Sequence, residues 1–154
     1  MSGYNTVQDG ENSLLHAAVL SGDETLVQRL ITQRAELNKE EDDSTPLFKA
    51  VGLDDPAIAI ALLSARADVN WRGSEFSFTA LHQAVCVNNQ KMIEALVRAG
   101  ADVELVDEGG STALSLAQSM QKRLEAEMEE AELSAHVCTR ELERQDRAPR
   151  SSLS

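Results

Sequence analysis

The chain has 154 residues, 42% hydrophobic and 26% charged, enough for one domain with a buried core and too few for a large multidomain enzyme. Its 26 Asp and Glu against 14 Lys and Arg leave a net charge of -12, which argues against a generic binder of nucleic acid or anionic membrane, because those surfaces call for excess base. No run reaches the ~18 apolar residues of a membrane span, residues 1–13 lack the basic start and apolar core of a signal peptide, and two distant cysteines, Cys86 and Cys138, make no disulfide framework; the expectation is an intracellular chain, cytoplasmic or nuclear.

The charge and the aromatic residues are unevenly placed. Residues 1–118 hold 18 acids and 8 bases, and residues 119–154 hold 8 and 6, so the acidic excess belongs to the first part. Of five aromatic residues, three (Trp71, Phe76 and Phe78) fall within eight positions.

Taken in order, the predicted elements repeat. The strings Ser13-Leu14-Leu15-His16-Ala17-Ala18, Thr45-Pro46-Leu47-Phe48-Lys49-Ala50, Thr79-Ala80-Leu81-His82-Gln83-Ala84 and Thr112-Ala113-Leu114-Ser115-Leu116-Ala117 start 32, 34 and 33 residues apart. A second string (Ala35–Asn38, Ala67–Asn70, Ala101–Glu104) ends 25 residues after each of the first three starts and is missing after the fourth. Each opening Ser or Thr can cap a short helix, and the Leu, Ala and Val positions behind it recur at helical spacing. In the first unit Ser21-Gly22-Asp23 breaks the helix, with Gly22 suited to a left-handed turn. In the second, Asp55 suits an N-cap and Pro56 the first helical position. Second helices follow through Leu26, Val27, Leu30 and Ile31, then Ile58, Ile60, Leu62 and Leu63, then Met92, Ile93, Leu96 and Val97. The segment from Gln118 to Arg147 has no Gly or Pro and a strongly helical composition. Along it Ala117, Met120, Leu124, Met128, Ala131, Ala135, Cys138 and Leu142 are spaced by threes and fours, as in a thin coiled-coil seam.

These strings resemble the ankyrin repeat family, whose signature is T-P-L-H-x-A, two helices about a glycine turn, and a closing G-A-D-V-N at a period near 33. The resemblance covers roughly Asp9 to Gln118, with Leu14 where the family has Pro and Arg34 where it has Gly. It implies an all-α fold: an ankyrin-repeat solenoid of stacked helix-turn-helix units with a long C-terminal helix. A single unit cannot bury its apolar face, so units share it and terminal ones act as caps. The expected organisation is a flexible N-terminus at 1–8, the repeat domain at 9–118, an extended helix at 119–147 and a disordered tail at 148–154. Ser151 and Ser152, after arginines in that tail, are candidate phosphorylation positions.

Catalytic signals are weak. His16 and His82 sit at the fourth position of the string, where the resemblance implies a structural histidine bonded to neighbouring backbone. Cys86, four residues after His82, reads as a small buried cysteine, since two ligands are no zinc site. Phosphate-cradling loops, nucleophile elbows and H-E-x-x-H are absent, and Glu40-Glu41-Asp42-Asp43 does not satisfy the D-x-D-x-D spacing of a calcium loop. No enzyme and no cofactor or metal is expected.

A partner surface is easier to place. The connection from Asn70 to Thr79 is two residues longer than that from Asn38 to Thr45, and it holds Trp71, Arg72, Phe76 and Phe78, residue types that dominate interface hot spots. The competing reading is that Trp71 and one Phe fold back to seal the junction between units. The acidic tip Glu41, Asp42 and Asp43 would meet a basic edge on the partner. Matched to the family's variable positions, Ala17 and Leu20, Lys49 and Leu53, and Gln83, Val87 and Asn88 complete the surface. The expected function is a non-enzymatic adaptor or regulator that binds a protein through its concave face and projecting loops. An assembly subunit associating through the C-terminal helix is the alternative.

Overall fold

The computed structural model describes the backbone of residues 6–147 and the side chains of residues 14–147. Within that range the secondary structure is helical: α1 (Thr6–Ser21), α2 (Glu24–Thr32), α3 (Pro46–Gly52), α4 (Pro56–Ser64), α5 (Ala80–Cys86), α6 (Gln90–Arg98) and α7 (Ala113–Asp146). Isolated bridges, Glu41 with Ser44 and Val106 with Thr112, are the extended pairings among the described residues. The chain divides into two compact units, Met1–Ala117 and Gln118–Ser154, so the division falls within α7.

In the first unit the capping chemistry sets where helices begin. Thr45 Oγ1 accepts from the Phe48 N–H and Thr79 Oγ1 from the His82 N–H, while Asp55 Oδ1 takes the N–H groups of Ala57 and Ile58. Such a cap is worth about 1 kcal/mol. Pro46 and Pro56 fill the first helical positions, where the missing N–H costs nothing. α1 differs: it starts at Thr6, so Ser13 lies inside the helix and does not open it. Leu14 has an amide N–H that can continue a helix backwards, which Pro46 lacks. Residues 1–5 of the expected N-terminal segment, and the tail 148–154 with Ser151 and Ser152, lie outside the described residues.

Each helix pair closes through a left-handed residue. Gly22 has φ of +68° as its sequence context predicts, and Asp54 and Asn88 take the same role at +58° and +54°. Second helices end likewise on Arg34, Arg66 and Gly100, so two of three such ends carry a side chain in a conformation that favours glycine.

The pairs α1 with α2, α3 with α4 and α5 with α6 pack face to face, and α1, α3 and α5 form one row while α2, α4 and α6 form the other. Between the rows lies the core: Leu15, Ala18 and Val19, then Leu47, Ala50 and Val51, then Leu81, Ala84 and Val85 from first helices, against Val27 and Leu30, Ile58 and Leu62, Met92 and Leu96 from second ones. The repeat is therefore a repeat of buried positions. Polar pins hold the register: Asn38 Oδ1 accepts from the Asp68 N–H at 2.7 Å, and Asn70 Oδ1 accepts from the Asp102 N–H at 2.8 Å.

The described part of the second unit is the continuation of α7 to Asp146. Within α7 every residue from Gln121 to Asp146 is exposed, including Leu124, Met128, Leu133, Val137 and Leu142. Its intrahelical side-chain pairs include Gln121 with Glu125 at 3.0 Å and Arg123 with Glu127 at 3.9 Å.

Candidate functional site

The fourth position of each of the first three repeat strings reaches the next projecting loop. His16 Nε2 lies 3.1 Å from the Ser44 carbonyl and His82 Nε2 lies 3.0 Å from the Ser111 carbonyl. In the second unit of the period, Phe48 does the same with an aromatic face, meeting Trp71 edge-on at 5.4 Å between centroids. His82 also completes a capping box, its Nδ1 accepting from the Thr79 N–H at 3.3 Å and lying 2.8 Å from Thr79 Oγ1. With Nδ1 an acceptor, the ring proton sits on Nε2 and is donated to Ser111. Both histidines are buried and fully engaged, which leaves neither as a general base.

The first projecting loop is a two-residue hairpin. Glu41 and Ser44 exchange backbone hydrogen bonds at 2.9 and 3.2 Å, and Asp42 and Asp43 occupy the two central positions with φ of +50° and +53°. That pair of positive φ values is the type I′ turn, and Asp tolerates it better than most residues. Glu41 points inward, its Oε2 3.3 Å from His16 Nδ1. Asp42 and Asp43 face out.

Asp43 ties the first loop to the second. Its two carboxylate oxygens each lie 3.0 Å from the Ser74 N–H, and Oδ2 also accepts from the Glu75 N–H at 3.3 Å. Hydrogen bonds from the Ser74 side chain and then its backbone hold the Asp43 carboxyl below its ordinary range against an opposing desolvation, with a smaller contribution from the Glu75 backbone. Trp71 adds a second tie, its Nε1 donating to Glu40 Oε1 at 2.7 Å. On the far side Arg72 Nη2 donates to the Val106 carbonyl at 2.6 Å and the Glu108 N–H donates to the Phe76 carbonyl at 3.0 Å. The second loop is thus braced to both neighbours.

The three aromatic residues of that loop divide by environment. Trp71 is half-buried against Phe48, and Phe78 is half-buried and stacked on His82 at 5.4 Å. Phe76 is 60% exposed and touches Phe78 at 6.2 Å. The two phenyl rings meet, with Phe76 in the turn at 74–76 and Ser77 between them at φ of +52°. A cleft of about 640 Å³ opens between the loops, lined by Asp42, Asp43 and Glu75, by Phe48, Phe76 and Phe78, and by Ser44, Gly73 and Gln83.

The remaining positions of the expected surface lie on the first-helix row. Ala17, Leu20 and Leu53 are exposed, and Lys49, Gln83 and Val87 are half-buried. Gln83 is the member of this set that also lines the cleft. Asn88 is exposed but serves as the left-handed turn residue between α5 and α6. Ser44, Gly73 and Glu75 belong to the cleft and were not legible as site residues. Glu75 does sit in the two-residue-longer loop, which was the available signal.

Cys86 departs from expectation: it is exposed, not buried. It occupies the eighth position of its string, and Leu20 and Gly52 at the equivalent positions are exposed too, so the outward face of the helix end decides its environment. Partial desolvation pushes its thiol above the ordinary value, away from a reactive thiolate. No group of three or more His, Cys, Asp or Glu placed to hold a metal ion occurs among the described residues, and none of their helices is long and apolar enough to cross a membrane.

The buried period, the loop-reaching histidines and the hairpin tips together point to one family. A family profile described as "Ankyrin repeat" matches residues 77–108. The chain belongs to the ankyrin repeat family. It is 35% identical over 112 residues to "Ankyrin repeat and KH domain-containing protein mask-1" of Caenorhabditis elegans, which covers 72% of this chain and 4% of that protein. It is 37% identical over 106 residues to "Inversin" of Gallus gallus, covering 68% of this chain and 10% of the relative. The "2-5A-dependent ribonuclease" of Homo sapiens is 37% identical over 76 residues, covering 49% and 10%. The chain therefore spans a small fraction of each of these relatives. Ankyrin repeats indicate a protein-protein interaction module, and the last of these relatives is by its name an enzyme.

Proposed function

We propose that the repeat unit is a non-enzymatic adaptor or regulator that receives a segment of a protein partner in the cleft between the first and second projecting loops. The observation that carries this reading is the cleft's composition: three carboxylates, Asp42, Asp43 and Glu75, stand beside three phenyl rings, of which Phe76 is largely exposed. An exposed phenyl ring beside carboxylates suits a segment with an apolar anchor and an adjacent Lys or Arg. Leu20 and Leu53, exposed on the first-helix row, extend the apolar contact.

The braces make the site ready before binding. Because Asp43, Trp71 and Arg72 fix the loop to its neighbours, little ordering entropy is left for the partner to offset. This separates two roles in the aromatic cluster: Trp71 and Phe78 hold the loop in place, and Phe76 makes the contact. The acidic surface disfavours nucleic acid and anionic lipid as occupants. It suits a protein partner met in the cytoplasm or nucleus.

The test compares proteins captured from lysate by the chain, by Phe76→Ala and by the charge-removing pair Asp42→Asn/Glu75→Gln, in which Asn keeps the left-handed turn position. All three altered residues are exposed, so circular dichroism and melting should be unchanged. Specific proteins lost with both variants support the cleft. An identical set captured by all three chains contradicts it.

A further inference from the structure

The second unit carries an exposed apolar stripe of its own, distinct from the cleft. In α7 the side chains of Leu124, Met128, Ala131, Ala135, Cys138 and Leu142 follow one another by fours and threes, which places them in one stripe along the helix. All six are exposed, with Leu124, Met128 and Leu142 at 54, 65 and 64%. From Leu124 to Leu142 the stripe is about 27 Å long at 1.5 Å per residue. A helix that presents large apolar side chains to water over this length has an unfilled seam.

The charges around the stripe say what fills it. At 3.6 residues per turn, Glu125, Glu132, Glu143 and Asp146 run along one edge, and Glu127 and Glu141 along the other. The bases fall elsewhere: Lys122, Arg140 and Arg144 lie on the opposite side of the helix. Arg123 is the base beside an edge, and it is 3.9 Å from Glu127. When two helices pair through such a seam, the residues at its edges meet the partner's edges in either orientation. A second copy of this chain would set acids against acids along both edges. A helix with Lys or Arg at its edges would find complementary charge on both.

We propose that α7 docks an amphipathic helix of a partner protein, one with an apolar seam flanked by Lys and Arg, and that it does not pair with a second copy of this chain. The small residues Ala131, Ala135 and Cys138 at the centre leave room for the partner's larger Leu, Ile or Met side chains. Acidic edges steer the encounter and reject acidic helices, so the association is expected to weaken as salt rises.

The experiment uses the full chain and three labelled synthetic peptides of about three heptads. One has a Leu/Ile seam flanked by Lys, one has the same seam flanked by Glu, and one is a scramble of the first. Fluorescence anisotropy should show the Lys-flanked peptide binding on the order of tenfold or more tighter than the other two. Leu124→Asp/Leu142→Asp should abolish that binding, and Glu125→Lys/Glu127→Lys/Glu132→Lys/Glu141→Lys should transfer preference to the Glu-flanked peptide. Sedimentation equilibrium of the chain alone should give a monomer. A dimer that Leu124→Asp/Leu142→Asp dissolves would overturn the proposal in favour of self-association. Absence of binding, equal binding of the scramble, or binding lost with Phe76→Ala would overturn it as well, the last by placing the peptide on the repeats.

Discussion

Leu62 and Leu133 are both leucines within helices of strong propensity, yet the first has no exposed surface and the second is 70% exposed. In the repeats, each short helix finds a neighbour one period away, so a helix of seven or nine residues buries two to five side chains. In α7 the period stops, and a 34-residue helix buries Ala113 near its start and leaves its remaining apolar side chains half-buried or exposed. Composition makes both regions helical; periodic recurrence makes only one of them a core. The same contrast underlies the two proposals, since a packed stack can hold loops in fixed positions and a bare seam is open to a partner helix.

The largest effects should come from trading equivalent residues across that contrast. Leu62→Ala leaves a cavity in a fully buried site and is expected to cost about 2–5 kcal/mol in urea unfolding. Leu133→Ala should stay within about 0.5 kcal/mol. Similar losses at the two sites would mean that α7 is packed as the repeats are. The histidines offer a second pair. His82→Ala removes the capping box, the bond to Ser111 and the stack on Phe78, for about 1–3 kcal/mol. His136 is exposed and contacts a carbonyl one turn back in its own helix, so His136→Ala should be near neutral by the same unfolding assay.

Smaller changes sharpen the account of the repeat itself. Arg66→Gly relieves a side chain held at φ of +68° and should raise stability by about 0.5–1 kcal/mol, read as a higher melting temperature. Asp43 sets a pH dependence. Its carboxyl is held below its ordinary range when folded, so the unfolded chain binds that proton first, and the brace is fully present above the ordinary carboxylate pKa. It is lost as pH falls through the lowered value of the folded state. The Ser74 and Glu75 amide resonances should follow that titration, and Asp43→Asn should remove it.

The sequence carried the parts of this structure that repeat. Period and caps are local signals copied several times, a structural role for His16 and His82 follows from the family resemblance but their reach to the next loop does not, and the Gly22 turn and the Asp55-Pro56 start follow from single-residue stereochemistry. What it did not carry are contacts made once and across repeats. Trp71 with Glu40, Asp43 with Ser74 and Arg72 with Val106 join residues some thirty positions apart, and no spacing in the chain announces them. The sorting of the aromatic cluster into two packed rings and one open one depends on those contacts. The early start of α1 has a different cause: Leu14 stands where the family has the proline that would stop a helix from extending backwards.

Residue-resolved hydrogen exchange under native conditions tests the contrast most directly. The account predicts slow exchange at Ala67 and Ala101, whose N–H groups bond to the Leu62 and Leu96 carbonyls at the heart of the stack, and measurable protection at Ser74 and Glu75 in the braced loop. Amides from Gln121 to Asp146 should exchange orders of magnitude faster than the stack. Open-chain rates at Ser74 and Glu75, or stack-like protection along α7, would contradict it.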